Sequence, residues 1–447
     1  MLPAAWLDWT ALILFCAGFA SFLIFESHRH WLAFAAALLV VMLGLEGPLE
    51  ALKAVNWKIV VIFFTTLAAA EVFMISGAAA VAAEAILARF RSPAIAIMAL
   101  VALTGFLSLF VENVACVLIA APIAISLAHR LKLRPQPVLV GCALTSNLQG
   151  CGLLIGDPPS MLLAAQAKMT FLDFIWYDGK PSIFFAVQAG AIAGGIFLWF
   201  IFRKYHGTFH LHRTAKLIGW APTALLVLLI GSLAVGTQIE QGIGWGAAGG
   251  CAFFAGLSVV WLWRQTKKRR AHKESAEQAM WEHEIPTVGG YLKGLDWKTT
   301  LFIISVFVPV SILEKYGWIE SLGTWIVHIS AGSSVIAFAI LVLAAMIASA
   351  FVDNIPFLLV MLPAVMAVGN GLGMANPIFL YFGLLLGTSV GGNITPIGAQ
   401  ANVAAVGLLR KHGAPVTLKE YFSLSVPYTM AAVAASCLFV YLLYGPK

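Results

Sequence analysis

Charged side chains are scarce in this 447-residue chain. Asp, Glu, Lys and Arg together make up 11% of it, less than half the ~25% of an ordinary soluble domain. That scarcity excludes the two or three soluble domains that the length alone would allow. Regular segments of alternating polarity are absent, which excludes a transmembrane β-barrel. No Cys-x-x-Cys pair occurs, and all six cysteines (Cys16, Cys116, Cys142, Cys151, Cys251, Cys437) lie in apolar stretches. Neither a disulfide framework nor a zinc site is indicated. His206, His210 and His212 cluster inside a basic loop and are read as solvated. Cys116 and Cys151 are read as ordinary buried thiols. No Walker-type phosphate loop is present, so primary transport would need a separate ATPase subunit. No His/Asp/Ser constellation points to an enzyme, and no cofactor or metal is implied. The start, Met1-Leu-Pro-Ala-Ala-Trp-Leu-Asp-Trp, has no basic n-region, so its apolar run is read as a retained helix rather than a cleaved leader.

What remains is hydrophobic: 61% of the residues, in runs near 20 residues separated by short polar stretches. That is an all-α polytopic membrane protein, with the lipid bilayer as its partner. The basic residues sit in loops between these runs, so no nucleic-acid binding is needed to explain the net charge of +7. Ten spans are expected, near 8–25, 31–46, 58–77, 136–168, 181–202, 217–234, 242–263, 299–313, 376–409 and 422–444. Two hairpins are expected near 93–128 and 334–369. Residues 93–128 as one helix would be about 54 Å long, too long for a hydrocarbon core of roughly 30 Å. The polar centre, Glu112-Asn113, favours a re-entrant hairpin over two full spans. With the loop 264–298 in the cytoplasm, 21 of the 27 Lys and Arg residues fall on that side, as the positive-inside rule requires.

The chain also repeats itself. Asn56-Trp57-Lys58 recurs as Asp296-Trp297-Lys298, Phe110-Val-Glu-Asn113 as Phe351-Val-Asp-Asn354, Pro122 as Pro363, Thr145-Ser146 as Thr388-Ser389, and Ile155-Gly156 as Ile397-Gly398. Five spans separate the two hairpins, an odd number, so the repeats are expected to be inverted in the membrane. The chain then divides into N-terminal helices (1–55), repeat 1 (56–203), two connecting helices with a cytoplasmic loop (204–295) and repeat 2 (296–447). Inverted repeats with interrupted helices are the architecture of secondary transporters, with the site near the midplane.

Each repeat holds one helix interrupted by Gly and Pro, near 146–158 and near 389–400. Unwound backbone at membrane depth lines protein or a wet cavity, where its carbonyls can hold a cation and the next half-helix can face an anion. The alternative is a pair of packing kinks. Asp157 before Pro158-Pro159 reads as a helix cap. Glu112 and Asp353, at the two hairpin tips, are carboxyl groups deep in a membrane with no Lys or Arg inside any apolar segment. Each must be protonated, face water or hold a cation; the alternative is a turn cap. The candidate binding residues are Glu112, Asn113, Ser146, Asn147, Gly156, Asp353, Asn354, Ser389, Gly392, Asn393, Thr395 and Gly398, with Asp353 and Glu112 coupling transport to Na+ or H+.

At these motifs the chain resembles the ion transporter superfamily, in particular its arsenite-permease, sodium–proton antiporter and citrate-transporter-like members. The tips Phe-Val-Glu-Asn-Val and Phe-Val-Asp-Asn-Ile-Pro resemble that group's acidic-Asn tips. Leu-Leu-Ile-Gly-Asp-Pro-Pro-Ser and Gly-Gly-Asn-Ile-Thr-Pro-Ile-Gly-Ala-Gln-Ala-Asn resemble its helix breaks. The likeness covers about 56–203 and 296–444. In the dicarboxylate members the tips read Ser-Asn-Thr and bind sodium and substrate carboxylate. Here Glu112 and Asp353 stand in place of the serine, which favours a group able to carry a proton.

These readings converge on an ion-coupled secondary active transporter of the bacterial inner membrane, working by alternating access. Its small-ion cargo is an arsenite-like or carboxylate anion, or sodium exchanged for protons. A sodium-coupled dicarboxylate or citrate symporter is the alternative, and an ion channel a remote one. A homodimer is compatible with this architecture.

Overall fold

Proline and capping residues set where many of the helices begin. The computed structural model describes residues 4–131, 133–207, 215–271, 286–352 and 354–446. An N-terminal pair, α1 (Ala4–Ile24) and α2 (Arg29–Met42), comes first. The first repeat runs through α3 (Pro48–Ala54), α4 (Trp57–Ile75), α5 (Ala78–Leu87), α6 (Pro93–Ser108), α7 (Asn113–Arg130), α8 (Pro135–Gly150), α9 (Pro158–Gln166) and α10 (Ile183–Phe202). A connecting pair follows, α11 (Ala221–Ile239) and α12 (Trp245–Ala271). The second repeat is α13 (Val288–Gly294), α14 (Trp297–Lys315), α15 (Trp318–Ile329), α16 (Ser334–Ser349), α17 (Asn354–Gly371), α18 (Ile378–Gly391), α19 (Gln400–Lys411) and α20 (Leu418–Tyr444). A two-residue β-hairpin, β1 (Trp176–Tyr177) with β2 (Lys180–Pro181), sits between α9 and α10.

The fold is all-α and polytopic. Among the described residues seven helices are long and apolar enough to cross a bilayer unaided: α4, α10, α11, α12, α14, α17 and α20. Six of them are expected spans, whereas α17 is the second arm of the hairpin expected to stop within the membrane, and its 18 apolar residues make it long enough to cross. The remaining expected spans are the shorter apolar α1 and α2 and the two helices that break in the middle, α8 into α9 and α18 into α19. Four short helices were not expected. α3 and α13 lead into α4 and α14. α5 and α15 follow α4 and α14 across Gly77 and Gly317, both at φ +74°, where a residue without a Cβ turns the chain cheaply. α13 also lies inside what the sequence reads as one long loop.

Eight helices of the first repeat match eight of the second, one for one, and the match extends to single bonds. Asn56 accepts from Ile59 N at 3.3 Å and Asp296 from Thr299 N at 2.9 Å, capping α4 and α14. Trp57 Nε1 donates to the Leu52 carbonyl and Trp297 Nε1 to the Leu292 carbonyl, at 2.9 and 2.5 Å. Each helix pair that precedes a repeat packs on the other repeat: α2 against α14, and α12 against α4.

α8 and α18 are buried along almost their whole lengths; α18 is nearly apolar all round, as such burial demands, whereas α8 also buries Thr145, Ser146, Asn147 and Gln149. Small residues allow it, because in lipid close backbone approach replaces the hydrophobic drive between helices. On α18, Gly383, Gly387 and Gly391 face Phe338, Val342 and Met346 of α16, each with no room for a Cβ. The second half-helices cross over: α9 packs on α17 and α18, and α19 on α7 and α8.

Polar contacts join segments distant in the chain. Arg134 pairs with Glu420, Ala215 N donates to Glu84, and Ile218 N donates to the Ser76 carbonyl. Lys180 Nζ donates to the Leu443 carbonyl, Lys315 Nζ to the Leu45 carbonyl, and Asn376 Nδ2 to Tyr177 OH.

Candidate functional site

The two hairpin tips and the two helix breaks meet. α6 and α7 turn at 109–112, α16 ends at Ser349 and α17 begins at Asn354, and between the two tips lies a cavity of about 70 Å³, room for several water-sized groups. Its walls include Glu112 and Asn113 from the first tip, Asn354 from the second, Asn147 from α8, Asp157 from the first break and Gly398 from the second. Asp353 lies outside the described residues, as do His210 and His212.

Each tip is tied to its break by one serine. Ser108 Oγ lies 2.5 Å from Asn113 Oδ1 and 2.9 Å from the Ser146 carbonyl. Its counterpart Ser349 Oγ lies 2.5 Å from both Asn354 Oδ1 and the Thr388 carbonyl. Ser146 Oγ donates to the Asn113 carbonyl at 3.2 Å, so Ser146 supports the tip from behind. Neither Ser108 nor Ser349 stands out in the sequence, because a serine at the end of an apolar run carries no signal until its partner is known.

Glu112 occupies the N-cap position of α7, its carboxylate near the Val114 and Ala115 N–H groups but outside capping hydrogen-bond geometry. It lines both the central cavity and a smaller one of about 20 Å³ with Phe110, Gly156 and Asp157. Asp157 does cap: its Oδ1 accepts from Ser160 N at 3.0 Å and Ser160 Oγ at 2.6 Å. It therefore answers the positive end of α9 while still facing the cavity. The start of α19 has Ala399 at the same position, with no side-chain cap.

The glycines of the breaks act by close approach. A Cβ on Gly156 would sit 2.2 Å from the Gly150 carbonyl oxygen and 2.7 Å from that of Ser108. A Cβ on Gly398 would sit 2.7 Å from the Gly392 oxygen and 2.8 Å from the Ser349 oxygen. The breaks thus lie backbone to backbone against the hairpin ends. Gly398 lines the central cavity, Gly156 the adjoining one, and Gly392 packs behind without lining it.

A buried asparagine cluster joins the repeats. Asn147 Nδ2 donates to Asn393 Oδ1 at 2.8 Å and to Asn402 Oδ1 at 3.1 Å. Asn393 Nδ2 donates to the Leu144 carbonyl, and Asn402 Nδ2 to the Gly392 carbonyl, each at 3.0 Å. Asn393 is therefore a tie between α8 and the second break. Thr395 Oγ1 donates to the Ala350 carbonyl, holding that break to the second hairpin. Ser389 Oγ is buried beside Asp157 and Cys151 of the first break. Asn402, Asp296, Thr299 and Gln400 belong to the site or its support without having been singled out in the sequence, since what brings them there is the crossing of α19 and the packing of α14.

One expectation changes. The sequence places no basic residue near the tips, yet Arg29, at the start of α2, lines a cavity with Val352, Pro356 and Gly398. Arg29 falls in a loop when the chain is read linearly, and packing of α2 on α14 carries it to the second break.

A family model for citrate transporters matches residues 19–281 and 278–447. The chain belongs to the citrate transporter family. An uncharacterized transporter of Mycobacterium tuberculosis is 23% identical over 453 residues, covering 97% of this chain and 98% of that protein. An uncharacterized transporter of Mycobacterium bovis is 27% identical over 374 residues, 80% of this chain and 79% of its own. The human P protein is 26% identical over 420 residues, 80% of this chain but 49% of the P protein. Among solved structures, the Alcanivorax borkumensis YdaH transporter is similar with a TM-score of 0.56 at 14% identity, covering 91% of this chain and 88% of that one. The Neisseria gonorrhoeae efflux pump MtrF has the same score and identity over 92% and 85%; both likenesses concern the fold alone. This citrate-transporter family member is a multi-pass membrane transporter.

Proposed function

We propose that the chain moves a small carboxylate anion of the citrate class in company with protons, by alternating access of one central site. The observation that carries this is the single cavity in which Glu112, the tip asparagines Asn113 and Asn354, and the starts of α9 and α19 converge. Helix starts and amide groups suit a carboxylate, and a carboxyl at membrane depth suits a proton that is loaded and released. Asp353 is its counterpart in the second repeat.

The inverted arrangement of the repeats is part of this reading. The odd number of spans between the hairpins and the distribution of Lys and Arg support it, and the basic end is assigned to the cytoplasm. Asp296 and Thr299 at the basic end line the cavity, whereas their counterparts Asn56 and Ile59 do not, so the site is read as inward-facing.

Sodium coupling is the second reading. Asn147 uses both amide hydrogens on Asn393 and Asn402, which leaves its carbonyl oxygen as the acceptor at the cavity.

The test is uptake into proteoliposomes of citrate, succinate, arsenite and sodium under imposed pH or sodium gradients. Citrate uptake driven by external acid, and lost with its pH response in Glu112→Gln and more severely in Asp353→Asn, is expected. A sodium-driven uptake indifferent to pH, with both variants behaving as the parent, overturns proton coupling. Absence of carboxylate uptake under every gradient overturns the substrate assignment.

A further inference from the structure

We propose that Lys53, Lys58 and Lys168 form an outer reception site, which gathers the small anion before the central site opens to it. The inference rests on the carboxylate reading above and adds the place where the anion is first held.

Of the six Lys and Arg residues that the charge rule leaves outside, these three line one cavity of about 580 Å³, within the size range of small-molecule sites. They come from three segments: Lys53 from the end of α3, Lys58 from the start of α4, and Lys168 from just after α9. Trp57, Trp245 and the turn between α11 and α12 complete the wall. Among the described residues no hydrogen bond or ion pair engages any of the three ammonium groups. Glu240 is the acid in the lining. Its carboxylate accepts from Gly246 N and Ala247 N, and Lys58 acts on it as a nearby charge. Three positive charges thus face one negative charge.

Lys168 carries a second, independent mark. Its φ is +52°, in the left-handed region where glycine sits without cost and lysine does not. The ends of α4 and α14 use glycine at such a position, Gly77 and Gly317. The bend at Lys168 is held by its neighbours: a Cβ on Gly242 would lie 3.6 Å from the Lys168 carbonyl oxygen, and Phe171 N donates to Thr237 Oγ1 at 3.0 Å. A lysine kept on a strained backbone points to use of its side chain.

The cavity also lies where an outward path would begin. Asn56, Trp57 and Lys58 are the counterparts of Asp296, Trp297 and Lys298, and Asp296 lines the central cavity in this state. Exchange of the two repeats brings the start of α4 to that cavity, with the three lysines at its mouth. Lysine suits the task, because a compact, hydrated charge attracts an anion without the grip of a guanidinium fork.

The experiment measures citrate KM from each face, in right-side-out and inside-out membrane vesicles. Lys53→Gln/Lys58→Gln/Lys168→Gln should raise the outer-face KM about fivefold and change the cytoplasmic-face KM little. Added salt should raise the outer-face KM of the wild type more steeply than that of the triple variant. Lys168→Gly relieves the backbone while removing the charge, so it should keep or raise the melting temperature and still raise the outer-face KM. A second measurement uses Lys168→Cys in a Cys16→Ser background, in micelles free of anionic lipid. An anionic methanethiosulfonate should label it faster than a cationic one, citrate should slow that labelling, and Lys53→Gln/Lys58→Gln should abolish the preference. An outer-face KM unchanged in the triple variant overturns the reception site. Protection by phosphatidylglycerol but not by citrate makes the cavity a lipid-headgroup site and overturns it as well. If the triple variant does not fold, Lys168→Gly and the labelling decide. Absence of citrate and succinate uptake by the wild type overturns the carboxylate reading instead, and the two failures are distinct.

Discussion

Gly156 and Gly398 hold the same place in the two repeats, and neither leaves room for a Cβ. Because the obstructing atoms are backbone carbonyl oxygens rather than flexible side chains, even Gly156→Ala must push the break away from its hairpin. We expect Gly156→Ala and Gly398→Ala to lose most citrate uptake and to lower the melting temperature in detergent. Gly407, inside α19 with nothing within 4 Å of a Cβ, is the control: Gly407→Ala should be neutral or stabilising by about 0.5–1 kcal/mol. Ser108→Ala probes the hinge of the first tip. It leaves the Asn113 amide and the Ser146 carbonyl without their shared partner, at a cost of about 1–3 kcal/mol, and Ser349→Ala should behave alike in the second repeat. Equal stability of Ser108→Ala and wild type in thermal unfolding would mean that the tip is held by packing alone.

At the scale of elements, the turn between α11 and α12 is organised by one carboxylate. Glu240 accepts from Gly246 N at 3.0 Å and Ala247 N at 3.1 Å. These amides hold its pKa below the usual glutamate value, with a smaller contribution from the charge of Lys58. A lowered folded value means the clasp stabilises at pH above the ordinary glutamate range and is lost as pH falls through the lower value. Amide exchange at Gly246 and Ala247, corrected for intrinsic rates, should therefore accelerate on acidification, and Glu240→Gln should remove that pH dependence. Gly244 is the complementary probe, since its Cβ would lie 2.1 Å from the Glu240 carboxylate; Gly244→Ala should open the clasp at neutral pH. The short helices α5 and α15 show what an element-level reading misses. Each follows a long helix across a single left-handed glycine, so the apolar pattern continues while the direction of the chain changes.

For the whole molecule, the two repeats are alike in order but not in cover. Phe351 is 63% exposed and Ile397 57%, whereas Ile155, the counterpart of Ile397, is 5% exposed. Phe351 and Ile397 of the second tip and break are thus open, while Phe110 and Ile155 of the first line a cavity walled by Phe63 and Leu67 of α4. Alternating access by inverted repeats requires the opposite state to exchange these conditions. Cysteines at Phe351 and Ile397 should label from the basic side in this state, and cysteines at Phe110 and Ile155 from the other side when the cycle is driven outward. Independent of the cycle, cysteines at Lys168 and Lys180 should label from outside the cell and cysteines at Arg134 and Lys216 from inside. Labelling of all four from one side would remove the inverted arrangement.

Most of the long apolar helices, the tight turn between α6 and α7 and the interruptions after α8 and α18 were legible in the amino-acid order because each depends on local quantities: the length of an apolar run, a proline or glycine inside it, an acid at a turn. The repeat was legible for the same reason, through Phe110–Asn113 against Phe351–Asn354 and Ile155-Gly156 against Ile397-Gly398. Tertiary structure alone decided which residues meet. It brought Arg29 from α2 to the second break, set Asn402 against Asn147 across the repeats, and turned Asp296 of α14 into the cavity that Glu112 lines. Those meetings depend on helix crossings between segments hundreds of residues apart, and in lipid such crossings are chosen by close backbone approach and by the need to partner each buried polar group. Neither condition leaves a local mark in the chain.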